Sequence, residues 1–200
     1  MNFERGFKSW AERVSGALRK DLGLQQDSPL EPVRLAEYLD VRLCTPGDVP
    51  GLPKDVLNQL LIIDPSGWSA VSIFQDSFAL VIYNPRHSKG RQASDIMHEL
   101  AHLILEHKAA TMIISQDGKF VMRSYNDAQE HEANWLAWCL LLPRDALVRC
   151  GCLGMSAVEI ATRYGVSEKL VNFRLRITGV EGQLRAAARR GRRGIRVRSA

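Results

Sequence analysis

The chain has 200 residues, 46% of them hydrophobic and 24% charged, which supports one mid-sized core and excludes a fibre or a wholly disordered chain. Its longest apolar run, Trp135 to Leu142, falls far short of the ~20 residues a membrane-spanning helix needs. The net charge of +5 is not spread evenly: of 27 lysines and arginines, seven arginines fall in residues 183–200, where no acid occurs, so the first 182 residues hold 20 basic against 22 acidic groups. The basicity belongs to a tail, and like-charge runs of this kind are solvated extensions or phosphate-binding arms.

Met1-Asn2-Phe3-Glu4-Arg5 carries no basic-then-apolar leader. Cys44, Cys139, Cys150 and Cys152 are too few and too scattered for a disulfide framework. The expectation is a cytoplasmic protein with no membrane partner. Phe3, Phe7, Trp10, Val14 and Leu18 recur at helical spacing and predict a helix over about 3–21, ended by Gly23. A short helix around Leu35–Leu39 and a strand at Val41–Leu43 follow, then a helical turn from Lys54. Leu60–Ile63, Ser69–Phe74 and Phe78–Tyr83, separated by turn residues, predict a small antiparallel sheet. From Ser94 or Asp95 to His107 the apolar stripe of Met97, Leu100 and Ile104, widened by Ile96 and Leu103, marks a mostly buried helix. Thr111–Ser115 and Lys119–Met122 flank Asp117-Gly118 as a hairpin. A further helix from about Ala128 stops before Pro143, and 154–178 is helical. The fold class is α+β.

All five histidines lie between residues 87 and 131. His98-Glu99-Leu100-Ala101-His102 places two imidazoles four apart on one helical face, where both can reach one metal ion. Glu99, turned away by one position, cannot ligate from that side but can take a proton from a metal-activated water. Zinc suits such a donor set, with manganese and iron as the other metals it accepts. A third ligand has to come from elsewhere, and Glu130, His131 and Glu132 are the candidates on the next helix. Glu130 and Asn134 share a face, so Asn134 can act behind the ligands. Equally, Asp127-x-x-Glu130 resembles a capping box that would tie Glu130 to its own helix. Spacing alone leaves the three open. His87 and Tyr125 are candidate oxyanion donors. His107, at a helix end, reads as a dipole partner. Cys150-Gly151-Cys152 is too tight for a structural zinc pair, which leaves a redox pair as its one functional reading.

The motif helix, combined with the later Glu130-x-x-Ala133-Asn134-x-Leu136-Ala137-x-x-Leu140-Leu141-Leu142-Pro143, resembles the ImmA/IrrE family of metallopeptidases. Tyr83-Asn84-Pro85, Arg91, and Val166-Ser167-Glu168-x-x-Val171-x-x-Arg174-Leu175 fit the same pattern, so the resemblance spans roughly residues 10–178. It implies a gluzincin-like peptidase fold with a helical segment attached. It selects Glu130 as the third ligand, leaving Glu132 and His131 as minor alternatives. It also implies cleavage of a DNA-binding repressor or antitoxin, often of the Xre helix-turn-helix type. In such a fold a substrate lies along an edge strand, for which Phe78–Tyr83 is the candidate. Leu142 departs from the methionine common before that proline, His131 is unusual, and the last twenty residues have no counterpart in the family.

The expected organisation is a metallopeptidase domain over 1–150, a helix-turn-helix-like segment over 151–180 packed on it, and the arginine-rich tail over 181–200. The function read from it is a zinc endopeptidase with Glu99 as general base and His98, His102 and Glu130 as ligands. Two alternatives remain at this stage. One is a DNA-binding regulator, in which Lys169, Asn172, Arg174 and Arg176 enter a major groove and the tail grips phosphates. The other is a peptidase fold that only sequesters a repressor.

Overall fold

The computed structural model describes residues 3–75, 78–107, 112–114, 121–123 and 126–187. Asp117-Gly118, Tyr125 and six of the seven tail arginines lie outside the described residues. Helix α1 (Phe7–Asp21) lays Phe7, Trp10, Val14 and Leu18 on the core, as their spacing demands. Pro32 opens α2 (Pro32–Tyr38), at a position where its missing N–H leaves no bond unmade.

Strands β1 (Val41–Cys44), β2 (Ala70–Gln75) and β3 (Phe78–Tyr83) form one sheet in the order β1-β3-β2. β2 runs antiparallel to β3, with Ser72 opposite Val81, whereas β1 runs parallel to it, with Val41 opposite Ala79. The sheet is therefore mixed rather than antiparallel. Turn residues between β2 and β3 fix only that pair, and the long connection from β1 leaves room for a crossover that returns in parallel. Leu60–Ile63 is not a strand. Helix α3 (Lys54–Asn58) continues into a π-helical turn over Gln59–Ile63, closed by the Asp64 N–H donating to the Gln59 carbonyl at 3.0 Å. Four apolar residues have no period of their own, and the helix already begun at Lys54 claims them.

Helix α4 (Lys89–Ile104) starts five residues before Ser94. Its first turn carries Lys89 and Arg91, so no apolar stripe announces it. Gln92 is buried there and ties the helix to the preceding turn, its Nε2 donating to the carbonyls of Pro85 and His87 at 3.0 and 2.6 Å. β4 (Met112–Ile114) and β5 (Val121–Arg123) pair antiparallel. Then come α5 (Asp127–Leu141), α6 (Arg144–Cys152), α7 (Ala157–Tyr164) and α8 (Glu168–Ile177). Gly165 takes the left-handed conformation (φ 62°) that ends α7 and turns the chain into α8, a geometry that favours glycine. No helix among the described residues is long and apolar enough to cross a membrane.

The main core joins Met97, Leu100 and Ala101 of α4 to Ala133, Leu136, Ala137 and Leu140 of α5, with Val81 of β3, Leu35 of α2 and Ala11 of α1 around them. A second core, from Leu142 through Leu147, Ile160, Tyr164 and Val171 to Val180, joins α6, α7 and α8. Two buried arginines stitch the cores together at the C-terminal end of α5. Arg19 donates to the carbonyls of Leu140 (2.7 Å), Ser15 and Ser28, and Ser15 Oγ donates to the Cys139 carbonyl at 2.7 Å. Arg174 donates to the Leu142 carbonyl at 3.0 Å and to Glu12 Oε1 at 2.7 Å. Burial pulls the Arg19 guanidinium down to a pKa of about 10, so it stays charged at neutral pH.

Glu12→Gln removes the only carboxylate paired with Arg174 among the described residues. It is expected to cost about 3 kcal/mol in urea denaturation, the lower end for stranding a buried charge because Glu12 is partly exposed. Asp27→Asn, which breaks the exposed Arg149–Asp27 pair, is expected to cost no more than about 1 kcal/mol. Equal losses from the two variants would contradict the structural weight given to Arg174.

Candidate metal centre

His98 and His102 project from α4, one turn apart, on a helix whose opposite side is seated in the core through Met97, Leu100 and Ala101. Glu130 comes from the first turn of α5, which packs directly against α4. Its freedom to face α4 depends on how α5 begins. The cap is Asn126, whose side-chain oxygen accepts from the N–H groups of Ala128 and Gln129 at 3.1 and 3.4 Å. That puts Gln129, not Glu130, at the third helical position, so Glu130 stands one residue beyond the capping-box position.

The three side chains converge. His98 Nε2 and His102 Nε2 are 3.1 Å apart, His98 Nε2 lies 3.2 Å from Glu130 Oε2, and His102 Nε2 lies 3.4 Å from Glu130 Oε1. Metal–ligand distances of about 2.0–2.1 Å at tetrahedral angles place donor atoms about 3.3–3.4 Å apart. The observed triangle matches that spacing within a few tenths of an ångström, and two imidazoles with one carboxylate are donors a divalent metal accepts. These residues can hold a metal, and they are the only such His, Cys, Asp or Glu group among the described residues.

The remaining candidates fall around this trio. Glu99 is on α4 beside His98, and Ser72 of β2 donates a short hydrogen bond to its Oε2. Asn134 donates its amide to the backbone carbonyl of Glu130 at 2.7 Å, so it supports the α5 turn that bears the carboxylate. His131 is not in the trio. Glu132 faces His107 instead, with Oε2 3.3 Å from its Nε2. His87 is engaged by Asp95 of α4 at 2.9 Å through Nδ1 and lies 3.4 Å from the Asn84 amide through Nε2, so it ties the turn before α4 to that helix. Tyr125 lies outside the described residues.

Two residues the sequence did not single out for this site border it. Ser72 carries no motif, and only the register of β2 brings it to Glu99. His107 approaches His102, Nδ1 to Nδ1, at 3.0 Å; it is a partner of a site histidine as well as a helix-end residue. Its position five residues after His102 was the available signal, because a helix-ending turn folds that residue back over the last helical turn.

Residues 55–176 match the Peptidase_M78 family model, described as an IrrE N-terminal-like domain. The chain belongs to this family. The match covers the whole of α4 and α5, and thus all three convergent side chains. A solved Mycobacterium tuberculosis transcriptional regulator superposes with a TM-score of 0.49 at 16% identity, over 87% of this chain and 48% of that one; the chain spans about half of that protein's length. No curated protein matches it.

Other residues of this Peptidase_M78 chain find structural places. Lys169, Asn172 and Arg176 are exposed on α8, but Arg174 is fully buried against α1 and α5, which removes it from any groove-reading set. All four cysteines are free thiols; Cys150 is buried and Cys152 exposed. Burial pushes the Cys139 thiol up to a pKa of about 12. Since the thiolate is the reactive form, a buried thiol held neutral at pH 8 reacts slowly. Brief iodoacetamide treatment of the native protein at pH 8, read by peptide mass spectrometry, is expected to label Cys152 alone. The other three should react only after denaturation, and rapid native labelling of Cys139 would contradict its burial.

Proposed function

We propose that this protein is a metal-dependent endopeptidase, with His98, His102 and Glu130 as ligands of a zinc ion and Glu99 as the general base. The observation that carries this reading is the triangle of donor atoms at 3.1, 3.2 and 3.4 Å, with the carboxylate of Glu99 on the helix of the two histidines but outside the triangle. When bound there, a divalent cation supplies Lewis acidity to a peptide carbonyl and acidifies water, together several kcal/mol of charge stabilisation. The chain's own residues do the rest. Glu99 takes a proton from the attacking water and returns it to the leaving amine, a role worth about 10²–10⁴-fold in rate. Ser72 holds Glu99 through one carboxylate oxygen, which leaves the other oxygen for that transfer.

The order of the strands supports β2 rather than β3 as the substrate track. Phe78–Tyr83 is β3, the central strand, and its backbone is paired on both sides. Among the described residues, the edge strand next to Glu99 is β2. Side chains alternate along a strand, so Ser72 faces α4 while Val71 and Ile73, 37% and 41% exposed, face outward. An extended peptide adding to β2 would pass beside Glu99, by the strand-addition mode of recognition. The gluzincin-like architecture and the substrate class, an Xre-type repressor or antitoxin in the cytoplasm, rest on the family resemblance. Burial of Arg174 weighs against the DNA-reading alternative.

The test is bound metal and peptide cleavage in wild type, Glu99→Gln and His98→Ala, using elemental mass spectrometry and a quenched-fluorescent peptide library. Near-stoichiometric metal in wild type and Glu99→Gln, with cleavage lost by about 10²-fold or more in the latter, is the expected result; His98→Ala loses both. Undiminished cleavage by Glu99→Gln would overturn the mechanism. Metal binding without turnover in wild type would point to sequestration of a partner instead.

A further inference from the structure

The reaction proposed above leaves unused a pair of polar side chains set behind His102. His107 is nearly enclosed, its side chain 7% exposed, and it lies between Glu132 Oε2 at 3.3 Å and His102 Nδ1 at 3.0 Å. Its place is imposed by the backbone. α4 ends in a Schellman turn, in which the His107 N–H donates to the His102 carbonyl at 3.1 Å and the Glu106 N–H donates to the Leu103 carbonyl at 3.0 Å. Glu106 supplies the left-handed residue that this turn requires, at φ 52°. A non-glycine residue holds that conformation only where its surroundings over-determine it. The turn folds the ring of His107 back to 5.0 Å from the ring of His102, centroid to centroid.

The protons on this chain of groups can be placed in order. An ionised carboxylate only accepts, so His107 carries its proton on Nε2 and donates to Glu132. Its Nδ1 is then the acceptor, and the hydrogen on the 3.0 Å contact belongs to His102 Nδ1. A neutral His102 protonated at Nδ1 has its lone pair at Nε2, the nitrogen that faces His98 and Glu130. We propose that Glu132 and His107 form a two-step hydrogen-bonded relay that holds His102 in the Nε2-ligating tautomer and orientation, and so tunes metal affinity; both are positioning residues. The inference rests on the metal-site reading of the preceding subsection. It gives Glu132 a role behind the metal ligands, and it extends the usual carboxylate–histidine support of a ligand by one imidazole.

Co²⁺ binding by the full chain tests the relay, with affinity read by chelator competition and geometry by the visible absorption bands. His107→Ala and Glu132→Ala are each expected to weaken Co²⁺ binding about 10–100-fold and to shift the bands. The double variant should be no weaker than the weaker single, because either truncation interrupts the same chain. Glu132→Gln, which still accepts a hydrogen bond, should recover part of the loss. Circular dichroism checks folding, and Glu132, whose side chain is 26% exposed, provides a truncation less exposed to misfolding than His107. Unchanged affinity and spectrum in folded single variants, or fully additive losses in the double, would overturn the relay while leaving the metal site intact. Wild-type binding no better than that of His98→Ala would instead remove the metal-site reading and the relay with it.

Discussion

Helix α5 ends inside the protein, and the rest of the structure depends on how that end is satisfied. The last carbonyls of a helix have no partner within it, and leaving a buried one unpaired costs about 1–3 kcal/mol. Here Ser15 and Arg19 of α1 answer the carbonyls of Cys139 and Leu140, and Arg174 of α8 answers that of Leu142. Cationic groups are also the right sign for this end of the helix dipole. One set of bonds thus fixes the axis of α5 against both the N-terminal helix and the last one. At the other end of the same rigid rod, one turn in from the Asn126 cap, stands Glu130.

That rigidity matters because the candidate centre is assembled from two helices with nothing local to join them. The contact of α4 with α5 is apolar, and it sets the separation of the imidazoles from the carboxylate to within a hydrogen-bond length. A metal site tolerates only about half an ångström of error in its donors, so the packing of Met97, Leu100 and Ala101 against Ala133, Leu136 and Ala137 is part of the site's chemistry. The acidic first turn of α5, with Asp127 and Glu130, is favoured by the positive end of the helix dipole.

The mixed sheet adds the second constraint. Parallel pairing of β1 with β3 places β3 in the middle and leaves β2 at the edge beside α4. This single topological choice decides that Ser72 meets Glu99 and that an edge strand, not the central one, lies beside α4. Around the trio the side chains form a graded set: ligand-type donors at the centre, Ser72 on Glu99, His107 on His102, and Glu132 outermost.

The amino-acid sequence by itself determined the α+β composition, the amphipathic helices, the paired β2 and β3 strands, and the family, because these follow from local periodicity, turn residues and short motifs. His98, Glu99 and His102 were legible for the same reason: four-residue spacing on a helix is a local fact. Glu130 was not separable from His131 and Glu132 by spacing, since all three lie within one turn and face different ways. The family resemblance chose Glu130 among them, and the tertiary structure supplies the physical reason: the one-residue offset of the Asn126 cap and the packing of α4 on α5. The parallel strand, the π-helical turn over Gln59–Ile63, the burial of Arg174 and the meetings of Ser72 with Glu99 and of His107 with Glu132 were likewise set by long-range packing. Such contacts depend on where two distant segments are held relative to each other, and no local pattern of residues encodes that distance.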